Sequence, residues 1–320
     1  MQRFALWTLL FSIFVSTCAT AADPPSAKTE RRLAKKQVKA SKTPTHANVK
    51  YGPASRNVLD VWLAESDKPT PLLVSIHGGG FHGGEKYVTA NLLDDCLASG
   101  ISVAAITYRF SNEAIAPAQH HDAARAVQFL RSKAKEWNLD PSRVAATGGS
   151  AGAGLSLWLA FHDDLADASN PDPVLRQPTR LSGAFVNNGQ TSYDPRVIRK
   201  MFPESDTYQH PALAELFDVD LTNLDELPAE KYKLFEYVSA LPHLTKDDPP
   251  VMLIYSRPLD AKVTDRGAGI HHPKFGVMLK EQMDKLGISC EVDADGERLG
   301  GGTPTPPIDF LRRIFNMPNF

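Results

Sequence analysis

Residues 143–161 read RVAATGGSAGAGLSLWLAF. Arg143 to Thr147 has the short, β-favouring pattern of a buried strand, and Ala153 to Phe161 has the continuous apolar character of a buried helix. Between them Gly148-Gly149-Ser150-Ala151-Gly152 leaves almost no length for a connection. A strand-to-helix turn this tight pushes the Ser150 hydroxyl out at the carboxyl end of the strand, and the glycines let neighbouring backbone approach closely. A glycine-rich turn can also be mere packing or a phosphate cradle, so the pentapeptide acquires meaning only from its surroundings.

Working outward, short β-type runs alternate with helical patterns, as expected for a mostly parallel sheet with crossover helices. Strands are predicted at Val58 to Leu63, Leu72 to Ile76, Ile101 to Tyr108, Gly183 to Asn187, Val251 to Tyr255 and Ile288 to Val292. Helices are predicted at Asn91 to Ser99, along the stripe Ala123, Val127, Leu130, Ala134 and Trp137, around Phe275, Leu279, Met283 and Leu286, and at Ile308 to Phe315. Asp122 stands where it favours the start of the second helix. From about Thr191 to Pro249 the alternation stops and polar short helices carry Tyr193, Phe202, Tyr208, Phe217, Tyr232, Phe235 and Tyr237. This stretch reads as a helical insertion over the sheet, whose aromatics either shape a pocket or form its own small core.

His77-Gly78-Gly79-Gly80 directly follows the strand ending at Ile76. Acyl transfer builds negative charge on a carbonyl oxygen, and unobstructed backbone N–H groups in a dry site stabilise it, each contributing about 10²- to 10³-fold in rate. Gly79 and Gly80 with Ala151 are the candidate donors, and His77 is expected to orient the loop. With Phe81, the Tyr108-Arg109 pair, Pro117-Ala118 with Asp122, and the Ser150 pentapeptide, these motifs occur in one order. In them the chain, from Tyr51 to about Phe315, resembles the α/β-hydrolase superfamily. Within it the likeness is to the esterase/lipase branch of hormone-sensitive-lipase-like and bacterial feruloyl-esterase-like (BD-FAE-like) enzymes. The resemblance implies a twisted, mostly parallel sheet with helices on both faces, carboxylic-ester hydrolysis, no metal or organic cofactor, and a Ser, Asp, His triad in that chain order.

The later triad members depart from that pattern. The family's acid loop maps to Ser256-Arg257-Pro258-Leu259-Asp260, which makes Asp260 the candidate orienter and Asp265 the second choice. The stretch after the last predicted strand, Asp293 to Gly302, contains no histidine. His271 and His272 are the only histidines beyond Asp260, in the connection between the Val251 strand and the Phe275 helix; such connections open on the face where Ser150 is presented. Either is a candidate base, with His121 a remoter one, or the pair simply begins a helix. Three functions remain in view. The first is a serine esterase forming an acyl-enzyme on Ser150, with carbohydrate-linked or aromatic acyl esters as substrates. The second is a degenerate hydrolase fold that binds a ligand without turnover, and the third, with least support, a serine peptidase.

The 320 residues are 42% hydrophobic and 22% charged, which excludes wholesale disorder and fibrous classes and allows a sizeable core. Met1 to Ala21 has a basic start, an apolar run of about a dozen residues and a small-x-small ending, the features of a cleaved secretory signal. That run is too short to span a bilayer, and lipidation at Cys18 is the weaker alternative. The expected location is therefore secreted or periplasmic. Residues 22–50 read as a basic, flexible arm: Lys28 to Lys50 holds eight basic residues against Glu30 alone, a net +7. The arm is either a solvated linker or a contact for anionic envelope surfaces. It hides an acidic remainder, because the whole chain sums to only −2 and residues 51–320 therefore carry −9. No footprint for nucleic acid results. Cys96 and Cys290 read as two buried thiols, and no metal-ligand spacing is apparent.

Overall fold

Alternation of side chains along the apolar runs decides which elements cover each face of the sheet. The computed structural model describes residues 42–318, so the expected signal peptide and most of the basic arm lie outside the described residues. Nine strands form one sheet: β1 (His46–Lys50), β2 (Val58–Trp62), β3 (Thr70–Ile76), β4 (Ser102–Ile106), β5 (Leu139–Gly149), β6 (Gly183–Asn187), β7 (Val251–Tyr255), β8 (Cys290–Ala294) and β9 (Glu297–Arg298). Their spatial order is β1-β2-β4-β3-β5-β6-β7-β8-β9. The six strands from β4 to β8 run parallel, while β1, β2 and β9 are antiparallel to their neighbours.

The described helices are α1 (Ala90–Ala98), α2 (Ala118–Ser132), α3 (Ala151–Phe161), α4 (Pro195–Met201), α5 (Pro211–Phe217), α6 (Ala229–Val238), α7 (Arg266–Ile270), α8 (Lys274–Leu286) and α9 (Pro307–Ile314), with short 3₁₀ turns among them. All seven residues of β3 and all five of β4 are buried, as a parallel strand covered on both faces requires. Leu72, Val74 and Ile76 share one core with Val127 of α2, Trp158 of α3 and Phe275 of α8. Leu73, Val103 and Ala145 point the other way, into a second core with Leu93 of α1 and Phe310 of α9. Helices therefore flank both faces.

The strand order reverses at β3, which pairs with β4 on one side and β5 on the other. In doubly wound sheets ligands bind at such a switch point, outside the carboxyl ends of the strands. Ile76 pairs with Gly148, so the glycine loop after β3 and the Ser150 turn after β5 emerge side by side. The insertion between β6 and β7 supplies α4, α5 and α6.

Four expectations need correction. The arm does not extend to Lys50: His46–Lys50 pairs with β2, and the Trp62 indole donates to the Lys42 carbonyl at 2.9 Å. Asp122 lies one turn inside α2, where it is buried against Arg109 at 2.7 Å instead of capping the helix. The strand at Ile288 to Val292 is not the last, because after β8 Asp295 (φ 52°) and Gly296 (φ 83°) make a tight turn into β9. Finally, the connection holding His271 contains a helix of its own, α7. Cys96 and Cys290 are buried and unpaired, and burial pushes both thiols up to about 12.

Candidate active site

Ser150 sits between β5 and α3 with φ 52° and ψ −119°, a conformation that non-glycine residues rarely adopt. Its N–H donates to the Asn187 carbonyl at 3.0 Å, and its carbonyl accepts from the Gly154 N–H at 3.1 Å, so the strained turn is held from both ends. Gly152 is required by contact: an added Cβ would lie 2.1 Å from the Ile76 carbonyl oxygen. The pentapeptide thus has the geometry of a nucleophile elbow, with its serine at the N-terminus of α3.

The loop after β3 turns back on itself, with the His82 and Gly83 N–H groups donating to the Gly79 carbonyl at 3.1 and 3.0 Å. Gly79 has φ 110°, which a side chain would strain. Gly79, Gly80 and Ala151 all border the cavity in front of Ser150. His77 is buried, stacks on Tyr108 at 4.3 Å and donates from Nδ1 to the Gly78 carbonyl at 2.7 Å. Tyr108 in turn donates to the His77 carbonyl at 2.9 Å. Burial drives the His77 imidazole down to about 4, and its stacking and hydrogen bond hold it against the glycine loop.

Of the two candidate bases, the structure brings His271 to the serine. Its Nε2 lies 2.8 Å from Ser150 Oγ, and its Nδ1 lies 2.9 Å from the Gly267 carbonyl oxygen. A carbonyl only accepts, so the proton is on Nδ1 and the Nε2 lone pair faces the serine hydroxyl. This is the tautomer a general base needs. Burial lowers the His271 pKa, the Gly267 contact opposes that shift, and the Arg257 charge reinforces it.

His272 points away and is occupied at both nitrogens. Its Nδ1 accepts from the Lys274 N–H at 3.1 Å, and its Nε2 donates to the Ala261 carbonyl at 2.9 Å. The second of the paired histidines therefore starts α8. Asp260 is exposed and makes no hydrogen bond or ion pair among the described residues; with His272 it borders a separate cavity. Asp265 is spent on α7, where it accepts from the Ala268 N–H at 2.8 Å. Where a carboxylate was expected, the His271 Nδ1 faces the Gly267 carbonyl, because α7 turns that carbonyl toward the imidazole four residues on. His121 lies 3.0 Å from the Tyr237 hydroxyl, in an aromatic cluster around Trp158.

The cavity at Ser150 measures about 390 Å³ and is walled by Phe81, Tyr193, Ala212, Leu213, Ile270 and the buried amide of Gln190. Both readings of the insertion aromatics hold in part. Tyr193 joins the pocket wall, edge-on to Phe81 at 5.3 Å, whereas Phe217 and Phe235 pack together at 4.5 Å as insertion core. Among the described residues, no group of three His, Cys, Asp or Glu side chains is placed to hold a metal ion. Gly267 and Gln190 escaped the sequence reading, since neither a backbone carbonyl nor a lone glutamine carries a motif.

A family model described as BD-FAE matches residues 59–264. The probable carboxylic ester hydrolase LipM of Mycobacterium tuberculosis is 30% identical over 223 residues, 66% of this chain and 47% of LipM. Esterase LipQ of the same organism is 30% identical over 135 residues, 41% of this chain and 30% of LipQ, so the chain spans less than half the length of these curated relatives. Among solved structures, a truncated carbohydrate esterase from gut microbiota superimposes with a TM-score of 0.66 at 21% identity, covering 87% of this chain and 99% of that one. Esterase 2 of Thermogutta terrifontis, phosphonylated by sarin, gives 0.58 at 18% identity, covering 82% and 89%. These structures share the fold, and the matched sequence family includes both the glycine loop and the elbow: the chain belongs to the BD-FAE family of the α/β-hydrolase esterase/lipase group.

Proposed function

We propose that the protein is a serine carboxylic-ester hydrolase that works through an acyl-enzyme on Ser150. The observation that carries this reading is the 2.8 Å contact between Ser150 Oγ and a His271 Nε2 whose proton is held on the far nitrogen. His271 takes the hydroxyl proton as Oγ attacks the ester carbonyl. The N–H groups of Gly79, Gly80 and Ala151 receive the oxyanion, and His271 returns the proton to the leaving alcohol. Water then repeats the cycle to release the acid. Among the described residues no carboxylate contacts the His271 imidazole, so the Gly267 carbonyl contributes orientation and tautomer with only a dipole's share of charge stabilisation.

The pocket supports a reading of the substrate class. A cavity of about 390 Å³ with an apolar wall suits a compact acyl group, and a carbohydrate-linked ester is the favoured class. The carbohydrate esterase among the structural neighbours supports that choice. The leader read at Met1 to Ala21 extends the proposal to an exported enzyme.

The lack of a carboxylate at His271 Nδ1 among the described residues favours a second reading, a binding protein that has lost turnover. Hydrolysis of p-nitrophenyl acetate by wild type and Ser150→Ala separates the two. The esterase reading expects a loss of about 10⁴-fold or more in kcat, as removal of a nucleophile gives. Equal rates from the two proteins would sink it.

A further inference from the structure

The base rides on a helix too short to hold itself. α7 spans five residues, and an isolated turn of that length is unstable because nucleation fixes many dihedrals for few hydrogen bonds. Its position comes from outside. Arg266 pairs with Asp206 of the insertion at 2.7 Å, and Gly269 lies so close to Thr207 that an added Cβ would sit 1.9 Å from the threonine hydroxyl. Its last carbonyl, that of Ile270, accepts a hydrogen bond from the Gln190 side-chain amide at 2.7 Å.

That amide is itself fixed. Gln190 is 2% exposed; Nε2 also reaches the Asn188 carbonyl at 3.1 Å, and Oε1 accepts from the Tyr193 hydroxyl at 3.2 Å. Two carbonyl partners and one hydroxyl partner allow only one orientation of the amide. A rigid donor therefore grips the peptide immediately before His271, on the side of α7 that faces the pocket.

We propose that Gln190 is a positioning residue for the base, holding the end of α7 so that the His271 imidazole is aimed at Ser150. In an enzyme with an acid orienter, a carboxylate would perform this task at the imidazole itself; here the backbone that carries the imidazole is held instead. The inference rests on the esterase reading above. Without the amide, the buried Ile270 carbonyl loses its side-chain donor and α7 shifts to recover one. Displacement of a catalytic group by about 1 Å costs about 10²-fold in rate.

The test uses the full chain carrying Gln190→Met, which keeps the length of the side chain and removes its donor. Hydrolysis of p-nitrophenyl acetate is expected to lose about 10- to 100-fold in kcat, with KM held within about threefold. Phosphonylation of Ser150 by a fluorophosphonate should slow in step, in protein whose circular dichroism is unchanged. Gln190→Asn, which keeps an amide but withdraws it by one methylene, should give the same kcat-selective loss and covers the case in which the methionine variant folds poorly. Unchanged kcat in a folded variant overturns the proposal, and so does a rise in KM alone, which would make Gln190 merely a pocket wall. If wild type matches Ser150→Ala, the esterase reading fails and takes this inference with it. If Ser150 and His271 are required while both Gln190 variants match wild type, only this inference fails.

Discussion

The proposed nucleophile and its proposed base are presented by two regions that are built differently. The Ser150 turn and the glycine loop are fixed mainly by backbone: paired strands set Ile76 beside Gly148, and the Asn187 carbonyl holds the Ser150 N–H. The His271 segment is fixed by side chains arriving from far along the chain, Gln190 from 80 residues before Ile270 and Asp206 from 60 before Arg266. Backbone packing of the first kind tolerates almost no change in residue type, since a Cβ at Gly152 would run into Ile76. Support of the second kind can be assembled from many side chains. A base that moves to a new strand connection can therefore recruit local holders while the elbow stays as it was.

The sharpest way to break this comparison is to exchange the roles of the adjacent histidines. His271→Ala should lower kcat by about 10⁶-fold, the scale on which a serine hydrolase loses rate with its base. His272→Ala should leave the chemistry near wild type and lower stability, because it removes the acceptor for the Lys274 N–H and a donor to Ala261. Steady-state ester hydrolysis with thermal melts on the same preparations reads both. A larger kinetic loss at His272 than at His271 would mean that the α7 end rearranges to present the other imidazole, and the comparison would fall.

The same contrast explains what was legible in the sequence. Ser150, the glycine loop and His77 announced themselves because local sterics and strand placement force particular residues at particular spacings. The strands at Gly183 to Asn187 and Val251 to Tyr255 were readable for a related reason, since apolar β-branched and aromatic runs bounded by loops have few other uses. The base was legible only as a pair, because His271 and His272 share composition and neighbourhood and differ in which way a five-residue helix turns them. Asp260 was read by analogy of position. A carboxylate in the right loop serves as orienter only if the chain turns it inward, and the acceptor that does face His271 is a carbonyl that every residue possesses.

Acid titration probes the base with a smaller effect. The proposed mechanism requires neutral His271, and burial with the Arg257 charge lowers its pKa below the ordinary 6.5. A depressed pKa keeps the base competent as pH falls through 6.5, and kcat/KM should decline only below that value, approaching tenfold per unit once the imidazole is largely protonated. Arg257→Gln removes one lowering influence and should move the acid limb upward toward 6.5. A limb above 6.5 in the wild type would instead signal a carboxylate paired with His271 in the working enzyme, contrary to the Gly267 contact.

The smallest expected effect carries its own weight. Asp260→Ala should leave kcat/KM within about twofold of wild type, as exposed positions without partners usually do. In the described structure the carboxylate makes no hydrogen bond or ion pair, faces solvent, and borders the cavity on the His272 side of the connection. The test discriminates because the two ways of holding the imidazole predict effects that differ by orders of magnitude. A true triad acid, when removed, costs about 10⁴-fold by leaving the base in the wrong tautomer. Here the tautomer is set by the Gly267 carbonyl, which the substitution does not touch. A loss near 10²-fold or more, measured alongside an unchanged melting temperature, would show that the 256–265 loop swings its carboxylate onto His271 during turnover. The base would then be held in the same way as in a conventional triad, and the division between a backbone-built nucleophile and a side-chain-held base would not survive.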